Sequence, residues 1–185
     1  MANIQVIQPS EADGYLKEVY DQILESRGKI AEIFKIQSLN PRSIIRHMDL
    51  YMTLMYGKSP LKREEKEMLG IIVSLSNNCQ YCIAHHKEAL KQYWKDPQKL
   101  RKLLTDYTKA GLSEREQMMC ELAEVMTRIP ESKKVQNIIK DLKNKGVTDR
   151  GILDIVLVIS YFNFSNRLVM SLDANLEKDP GGYIY

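Results

Sequence analysis

Cysteine is scarce in this chain. There are three in 185 residues, two of them in a single CxxC, too few for the disulfide framework of a small secreted domain. No N-terminal stretch joins a charged start, an apolar run and a small-residue cleavage site, so a secretory signal is not expected. No uninterrupted apolar run approaches the roughly 20 residues that span a bilayer. The longest, Ile152 to Phe164, is broken by Asp154, Ser160 and Asn163. Neither sign of charge dominates: 27 Lys and Arg against 24 Asp and Glu leave a net +3, with the two signs interspersed. A nucleic-acid footprint needs basic residues gathered on one face, so neither nucleic acid nor membrane is an expected partner. A reducing cytoplasm is the expected location. What remains, 44% hydrophobic and 28% charged residues, is ordinary for a globular protein, and the length suits one well-packed domain over 1–185.

Convincing strand patterns are missing too, and the periodicity is helical nearly throughout. Ser10 is placed to cap a helix carrying Tyr15, Leu16, Val19, Tyr20, Ile23 and Leu24, with Gly28 as its stop. A second short segment, Ile30 to Leu39, closes at Asn40-Pro41, and Ile44 to Tyr56 ends at Gly57. Ser59-Pro60 reads as a helix start, with Glu64 and Glu65 near the positive end of the dipole and the apolar stretch Met68 to Leu75 behind. Ser76-Asn77-Asn78 breaks that helix and can cap the next. Leu100 to Tyr107, Ser113 to Arg128, Val135 to Lys145 and Thr148 to Leu172 complete an all-α reading. The tail, about 177–185 with Pro180-Gly181-Gly182, is expected to be loose unless a partner holds it. A faint repeat runs at an offset of 86 residues, aligning Leu61, Leu69, Ile71, Ile72, Val73, Ser74 and Asn77 with Val147, Ile155, Leu157, Val158, Ile159, Ser160 and Asn163. The same offset puts Cys79 on Ser165 and Cys82 on Leu168. It fits either a duplicated helical hairpin or two amphipathic helices alike by chance.

The chemistry concentrates in Cys79-Gln80-Tyr81-Cys82-Ile83-Ala84-His85-His86, with Glu67 twelve residues before Cys79. On one helix, side chains advance by about 100° per residue, so Cys82 lies roughly 60° from Cys79 and His86 projects between them, further along the axis. A thiol attacks only as its thiolate, and a helix N-terminus, an imidazole able to take the proton and a carboxylate to orient that imidazole all favour ionisation. Such a dithiol can cleave a peroxide O–O bond through a sulfenic acid, which the second cysteine condenses to a disulfide. Two other readings stay open. Cys79 and Cys82 with His85 or His86 supply three zinc ligands where a structural site wants four, and buried cysteines also serve as small hydrophobes. A thioredoxin-like protein is disfavoured because no βαβ unit accompanies the CxxC. Cys120, beside Met118, Met119 and Leu122, reads as a buried inert thiol, and His47 as structural. Arg167, interrupting an apolar helix, pairs with a buried carboxylate such as Glu67 or marks an exposed edge.

The pattern Glu67, eleven intervening residues, then Cys79-x-x-Cys82-x-x-x-His86 resembles the signature of the alkylhydroperoxidase AhpD-like proteins in the carboxymuconolactone decarboxylase superfamily. The opening Ser59 to Glu67 and the Cys-x-Tyr-Cys-x-x-His-His core are similar to the peroxidase-related subgroup. The motif covers residues 59–90, with weaker resemblance from Arg27-Gly28 through Asn40-Pro41 and from Tyr161 to Leu172. The resemblance implies an all-α AhpD-like multihelical bundle and a homo-oligomer, whether trimer, hexamer or dimer. It implies a cysteine-based peroxidase that reduces alkyl hydroperoxides, with Cys82 the attacking thiol, Cys79 its disulfide partner, His86 the base and Glu67 the relay acid. No metal or resident cofactor is implied; an external dithiol reductant, of lipoyl or thioredoxin-like type, would regenerate the thiols. Tyr81 and His85 are supporting candidates, and so is Arg167. One departure is Tyr81, which stands where the best-studied members carry histidine; with an ordinary pKa near 10 it donates a hydrogen bond and is no base. The decarboxylase branch lacks the cysteine pair, which argues against a lactone substrate. A redox sensor or thiol–disulfide exchange partner with little peroxidase activity, and a non-catalytic zinc-stabilised or structural oligomer, are the alternatives.

Overall fold

Ten consecutive residues, Glu65 to Ser74, are buried in the helix that carries Glu67, and that helix forms the axis of the molecule. In the computed structural model, which describes residues 2–184, nine α-helices and one 3-10 turn are present among the described residues and no strand. They are α1 (Gly14–Arg27), α2 (Glu32–Lys35), α3 (Pro41–Tyr56), α4 (Arg63–Ser76), α5 (Gln80–Lys91), α6 (Pro97–Thr105), α7 (Glu114–Arg128), α8 (Lys133–Asn144) and α9 (Asp149–Leu172). The all-α architecture is as expected. α4 packs against α3, α5, α6, α7 and α9, and α9 against α2, α3, α7 and α8. The main core gathers Met68, Leu69, Ile71, Ile72 and Val73 of α4 with Met119, Leu122, Ile155, Val158 and Ile159. A smaller cluster joins Leu16, Val19, Tyr20 and Ile23 of α1 to Phe34 and Ile44. A third, of Cys79, Tyr81, Cys82 and Val169, puts both thiols in an apolar pocket of their own.

Burying a charged turn requires partners for it. Glu65 pairs with Arg115, Glu67 with Arg63, and the Lys66 ammonium reaches the Met55 carbonyl oxygen at 3.4 Å. Burial pushes the Lys66 pKa down, against the pull of Asp154.

Several helix starts differ from expectation. The first helix is capped at Asp13, not Ser10. The fourth begins at Arg63, beyond Ser59-Pro60, because the Ser59 hydroxyl is committed elsewhere: it donates to Asp154 of α9 at 2.6 Å and accepts from the Leu61 N–H at 3.1 Å. Its start is closed instead by Glu65, which accepts the Lys62 N–H at 2.7 Å. Asn78 takes φ 58°, the left-handed conformation that asparagine tolerates, and so turns the chain sharply between α4 and α5. Cys79 is then the N-cap of α5 and Cys82 lies in its first turn.

The repeat has a structural counterpart. The caps Lys62 and Thr148 and the first residues Arg63 and Asp149 stand at the same offset, and Asn77 Nδ2 donates to Asn163 Oδ1 at 3.1 Å across 86 residues. The hairpins α3–α4 and α8–α9 are thus laid side by side through α4 and α9. By length and composition α9 also passes as a bilayer-crossing helix, with 24 residues and a windowed mean hydropathy of 1.4. The reading by uninterrupted runs did not register it, because averaging absorbs Asp154, Ser160 and Asn163. In this fold its inward side is core: Ile155, Val158 and Ile159 pack on α4, and Asp154 bonds Arg150 and Ser59.

Candidate dithiol site

One stripe of α4 carries Arg63, Glu67, Gly70 and Ser74, at the three- and four-residue spacing that keeps side chains on one face. α5 lies across that stripe. Glu67 Oε2 accepts from His86 Nδ1 at 2.7 Å, and Arg63 Nε donates to Glu67 Oε1 at 3.0 Å, with a second, shorter contact from the same guanidinium. A carboxylate only accepts, so His86 carries its proton on Nδ1 and leaves Nε2 as a base. Burial alone would raise the Glu67 pKa, but the hydrogen bond from His86, with Arg63 behind, holds it below the ordinary carboxylate value. The Arg63 cation in turn sits 3.9 Å over the Tyr56 ring and reaches Tyr51 Oη at 3.3 Å.

Room for the imidazole comes from Gly70. A Cβ built there would meet His86 Cε1 and Nδ1 at 2.9 Å and Cδ2 at 3.0 Å, while Phe162 holds the ring edge-on from α9 at 4.2 Å. Alanine suits a helix interior better than glycine, yet Gly70→Ala is expected to push His86 off Glu67. The rate of thiol oxidation by a hydroperoxide should fall about 10–100-fold, with the helical circular dichroism unchanged; an unaltered rate would show that His86 does not need this position.

The two cysteines are buried, not joined by a disulfide, and unlike. The Cys82 thiol, together with the Cys82 backbone N–H, lowers the Cys79 pKa against the opposing effect of burial. The Cys82 pKa is pushed up, first by its hydrogen bond with Cys79 and then by burial. Of the two thiols, Cys82 holds its proton the more tightly. Access runs the other way, since Cys82 lines a cavity of about 450 Å³ and Cys79 lies behind it. Glu67, His86, Tyr161, Phe162 and Ser165 share that wall, with Ile33, Phe34, Met48 and Tyr51 giving much of the remainder an apolar character.

The supporting candidates divide. Tyr81 Oη donates to Glu177 Oε1 at 2.9 Å and accepts the Ile33 N–H at 3.2 Å; burial, then Glu177, raises its pKa well above the ordinary value, so it stays a donor. His85 stacks on the Tyr81 ring at 4.2 Å and lies 3.2 Å from Glu177 Oε2. Arg167 is exposed and bonds Asn163, so the guanidinium beside Glu67 is that of Arg63. His47 is buried between Gln37 and Tyr161. Cys120 is fully buried, and burial raises its pKa. Among the described residues no three His, Cys, Asp or Glu side chains are grouped to hold a metal ion.

Residues of the tail reach this site without any sequence pattern to announce them. Glu177 also accepts the Glu32 N–H at 2.6 Å, Lys29 bonds the Asp179 carbonyl oxygen at 2.8 Å, and Ile184 N–H donates to the Arg27 carbonyl at 3.0 Å. Pro180 to Tyr183 thereby wall one side of the cavity. These contacts fall within 177–184 of the tail; residue 185 lies outside the described residues.

Residues 46–125, from α3 to α7, match the family described as carboxymuconolactone decarboxylase. Among solved structures, the chain is similar to a peroxidase-related protein from Silicibacter sp. TM1040, with 28% identity, a TM-score of 0.80 and 93% of this chain and 90% of that one covered. It is similar in fold to an AhpD-core peroxidase-related protein from Ralstonia eutropha JMP134 at 20% identity, with TM-score 0.83 and coverage of 97% and 94%. The debrominase Bmp8 has the same fold at 19% identity, with TM-score 0.79 and coverage of 96% and 94%. No curated protein is significantly similar in sequence.

Proposed function

From the match of residues 46–125 to the carboxymuconolactone decarboxylase family and the likeness to an AhpD-core fold, we propose that this chain is a dithiol peroxidase for organic hydroperoxides. The observation that carries the reading is that Cys82 and the His86–Glu67 pair line one cavity, with Cys79 bonded to Cys82 from behind. His86 Nε2 takes one of the two thiol protons. The remaining proton passes from Cys82 to Cys79, which leaves the charge on the sulfur facing the cavity. That thiolate attacks the terminal oxygen of the hydroperoxide, the O–O bond breaks, and the alkoxide takes a proton from His86. Cys79 sulfur then attacks the Cys82 sulfenic acid, expelling hydroxide that leaves as water with the Cys79 proton. An external dithiol, of lipoyl or thioredoxin-like type, reduces the disulfide. The proposal includes a reducing, cytoplasmic setting and a homo-oligomeric assembly.

The cavity supports an organic substrate. A volume of about 450 Å³ with apolar and aromatic walls is far more than hydrogen peroxide fills, whereas burying an aryl or alkyl group contributes about 1.5–3 kcal/mol. One equivalent of cumene hydroperoxide should remove two thiols per chain, reversibly by dithiothreitol, and leave Cys120 reduced. Hydrogen peroxide should act about 10–100-fold more slowly. Thiols left intact by the organic hydroperoxide would end the peroxidase reading. A second reading draws on the same roomy aromatic cavity and the fold shared with Bmp8, which is also known in complex with 2,3,4-tribromopyrrole. The dithiol would then reduce a halogenated aromatic, with C–X becoming C–H, halide and a proton leaving, and the disulfide forming. Dehalogenation of a halopyrrole by the reduced protein, with no peroxide turnover, would select it.

A further inference from the structure

A hydrogen-bond chain that begins 10 residues from His47 ends at the cavity wall. Gln37 Nε2 donates to the Ile33 carbonyl oxygen at 2.7 Å. A carbonyl only accepts, so the amide must present its NH₂ group on that side. The same NH₂ lies 2.9 Å from His47 Nδ1, which therefore accepts. His47 is buried, and burial lowers its pKa to about 4, so the ring is neutral with its one proton on Nε2. Nε2 is 2.8 Å from Tyr161 Oη, and the phenol oxygen is thus the acceptor. A phenol has a single proton, and here it is directed away from His47, to the side where Ser165 and the cavity lie.

We propose that Tyr161 is the hydrogen-bond donor to the leaving oxygen of the hydroperoxide, its proton aimed into the cavity by the Gln37–His47 relay. The inference rests on the peroxidase reading and adds to it a residue that the Glu67–His86–cysteine set does not include. When the Cys82 thiolate attacks the terminal oxygen, the S–O bond forms, the O–O bond breaks, and the electron pair stays on the oxygen bearing the organic group. The Tyr161 O–H bonds to that oxygen as its charge grows; the proton that neutralises it comes from His86. Burial raises the Tyr161 pKa against the opposing hydrogen bond with Ser165, so the phenol keeps its proton and acts as a donor only. Gln37 and His47 are positioning residues.

Leaving-group basicity tests this. A tert-butyl hydroperoxide expels a strongly basic alkoxide, whereas peracetic acid expels a carboxylate that needs little help; both are attacked at the same kind of oxygen. In Tyr161→Phe, thiol loss with tert-butyl hydroperoxide should slow about 10²–10³-fold, while the rate with peracetic acid changes by less than about threefold. Alkylation of Cys82 by iodoacetamide should match wild type, which excludes a collapsed site. Equal slowing with both oxidants, or with neither, overturns the role of Tyr161 and leaves the peroxidase reading standing. A wild-type protein inert to both overturns that reading and takes this inference with it.

Discussion

Peroxide consumption by Cys82→Ser is expected to fall to the uncatalysed background, while Cys79→Ser should complete one turnover and stop. The asymmetry follows from where the two sulfurs point. Cys82 lines the cavity and Cys79 does not, so an oxidant entering from the cavity meets only Cys82, and a serine hydroxyl there has no thiolate to offer. With Cys79 replaced, the attack still produces a sulfenic acid, but nothing within the turn condenses with it. The loss in steady-state turnover is expected to exceed about 10³-fold in both variants, as in other nucleophile knockouts. Dimedone labelling separates them: Cys79→Ser is labelled at Cys82 after one equivalent of cumene hydroperoxide, and Cys82→Ser is not labelled. A further consequence concerns acidity. The Cys82 pKa is raised first by Cys79, so in Cys79→Ser it moves down toward the ordinary thiol value. The pH profile of Cys82 alkylation by iodoacetamide reads that shift. Labelling of Cys79 in place of Cys82 would reverse the assignment of attacker and partner.

Glu67→Gln is expected to destabilise the fold by roughly 3–5 kcal/mol, the cost of removing one partner from a buried ion pair. Glu67 is 1% exposed and Arg63 beside it is largely enclosed by Tyr51 and Tyr56, so the guanidinium charge loses its counter-ion in a site that water hardly reaches. For a chain of this length the melting temperature should drop by about 6–20 °C. The pH dependence gives an independent check. The folded-state pKa of Glu67 is depressed, so its contribution is fully present above the unfolded carboxylate pKa and is lost as pH falls through the lower, folded value. The stability gap between wild type and Glu67→Gln should therefore be constant near neutrality and close in strong acid. Peroxide turnover is expected to fall as well, by about 10²-fold or more, because a neutral amide no longer stabilises the protonated His86 as a carboxylate does. In urea titrations, the double variant Arg63→Met with Glu67→Leu should recover much of the loss, since replacing both members of a buried pair is often neutral. A gap that stays the same from neutrality to strong acid would show that Glu67 is not ionised in the fold.

The sequence was most legible where one helix holds all the terms. Helix identity followed from periodicity, and the stretches read from Ser113 and from Thr148 begin there because each hydroxyl caps its own helix. Ser59 misled because its hydroxyl is claimed by Asp154, 95 residues away, and no local pattern records that. Arg63 could have been found: it stands four residues before Glu67, the spacing of an intrahelical ion pair. Arg167 was offered instead on the strength of interrupting an apolar helix, but its phase on α9 turns it outward to Asn163. Gly70, a lone glycine inside a helical run, signals a close approach once its neighbour is known. The distinction between Cys79 and Cys82 depends on how α5 is rotated against Val169 and the cavity, which only packing decides. Glu177 and the tail contacts are entirely tertiary.

Placing both sulfurs within one turn of α5, already in contact before any oxidant arrives, has a bearing on dose tolerance. In the proposed peroxidase cycle the second step is unimolecular, and well-oriented intramolecular partners act at effective molarities of about 10⁵–10⁸ M. A second oxidant molecule striking the same sulfur is present at a concentration many orders lower. The nascent sulfenic acid is therefore consumed from within long before it can climb to the irreversible sulfinic state. In that cycle, protection against inactivation by surplus hydroperoxide follows from the spacing of two residues, however slowly the proposed external reductant returns.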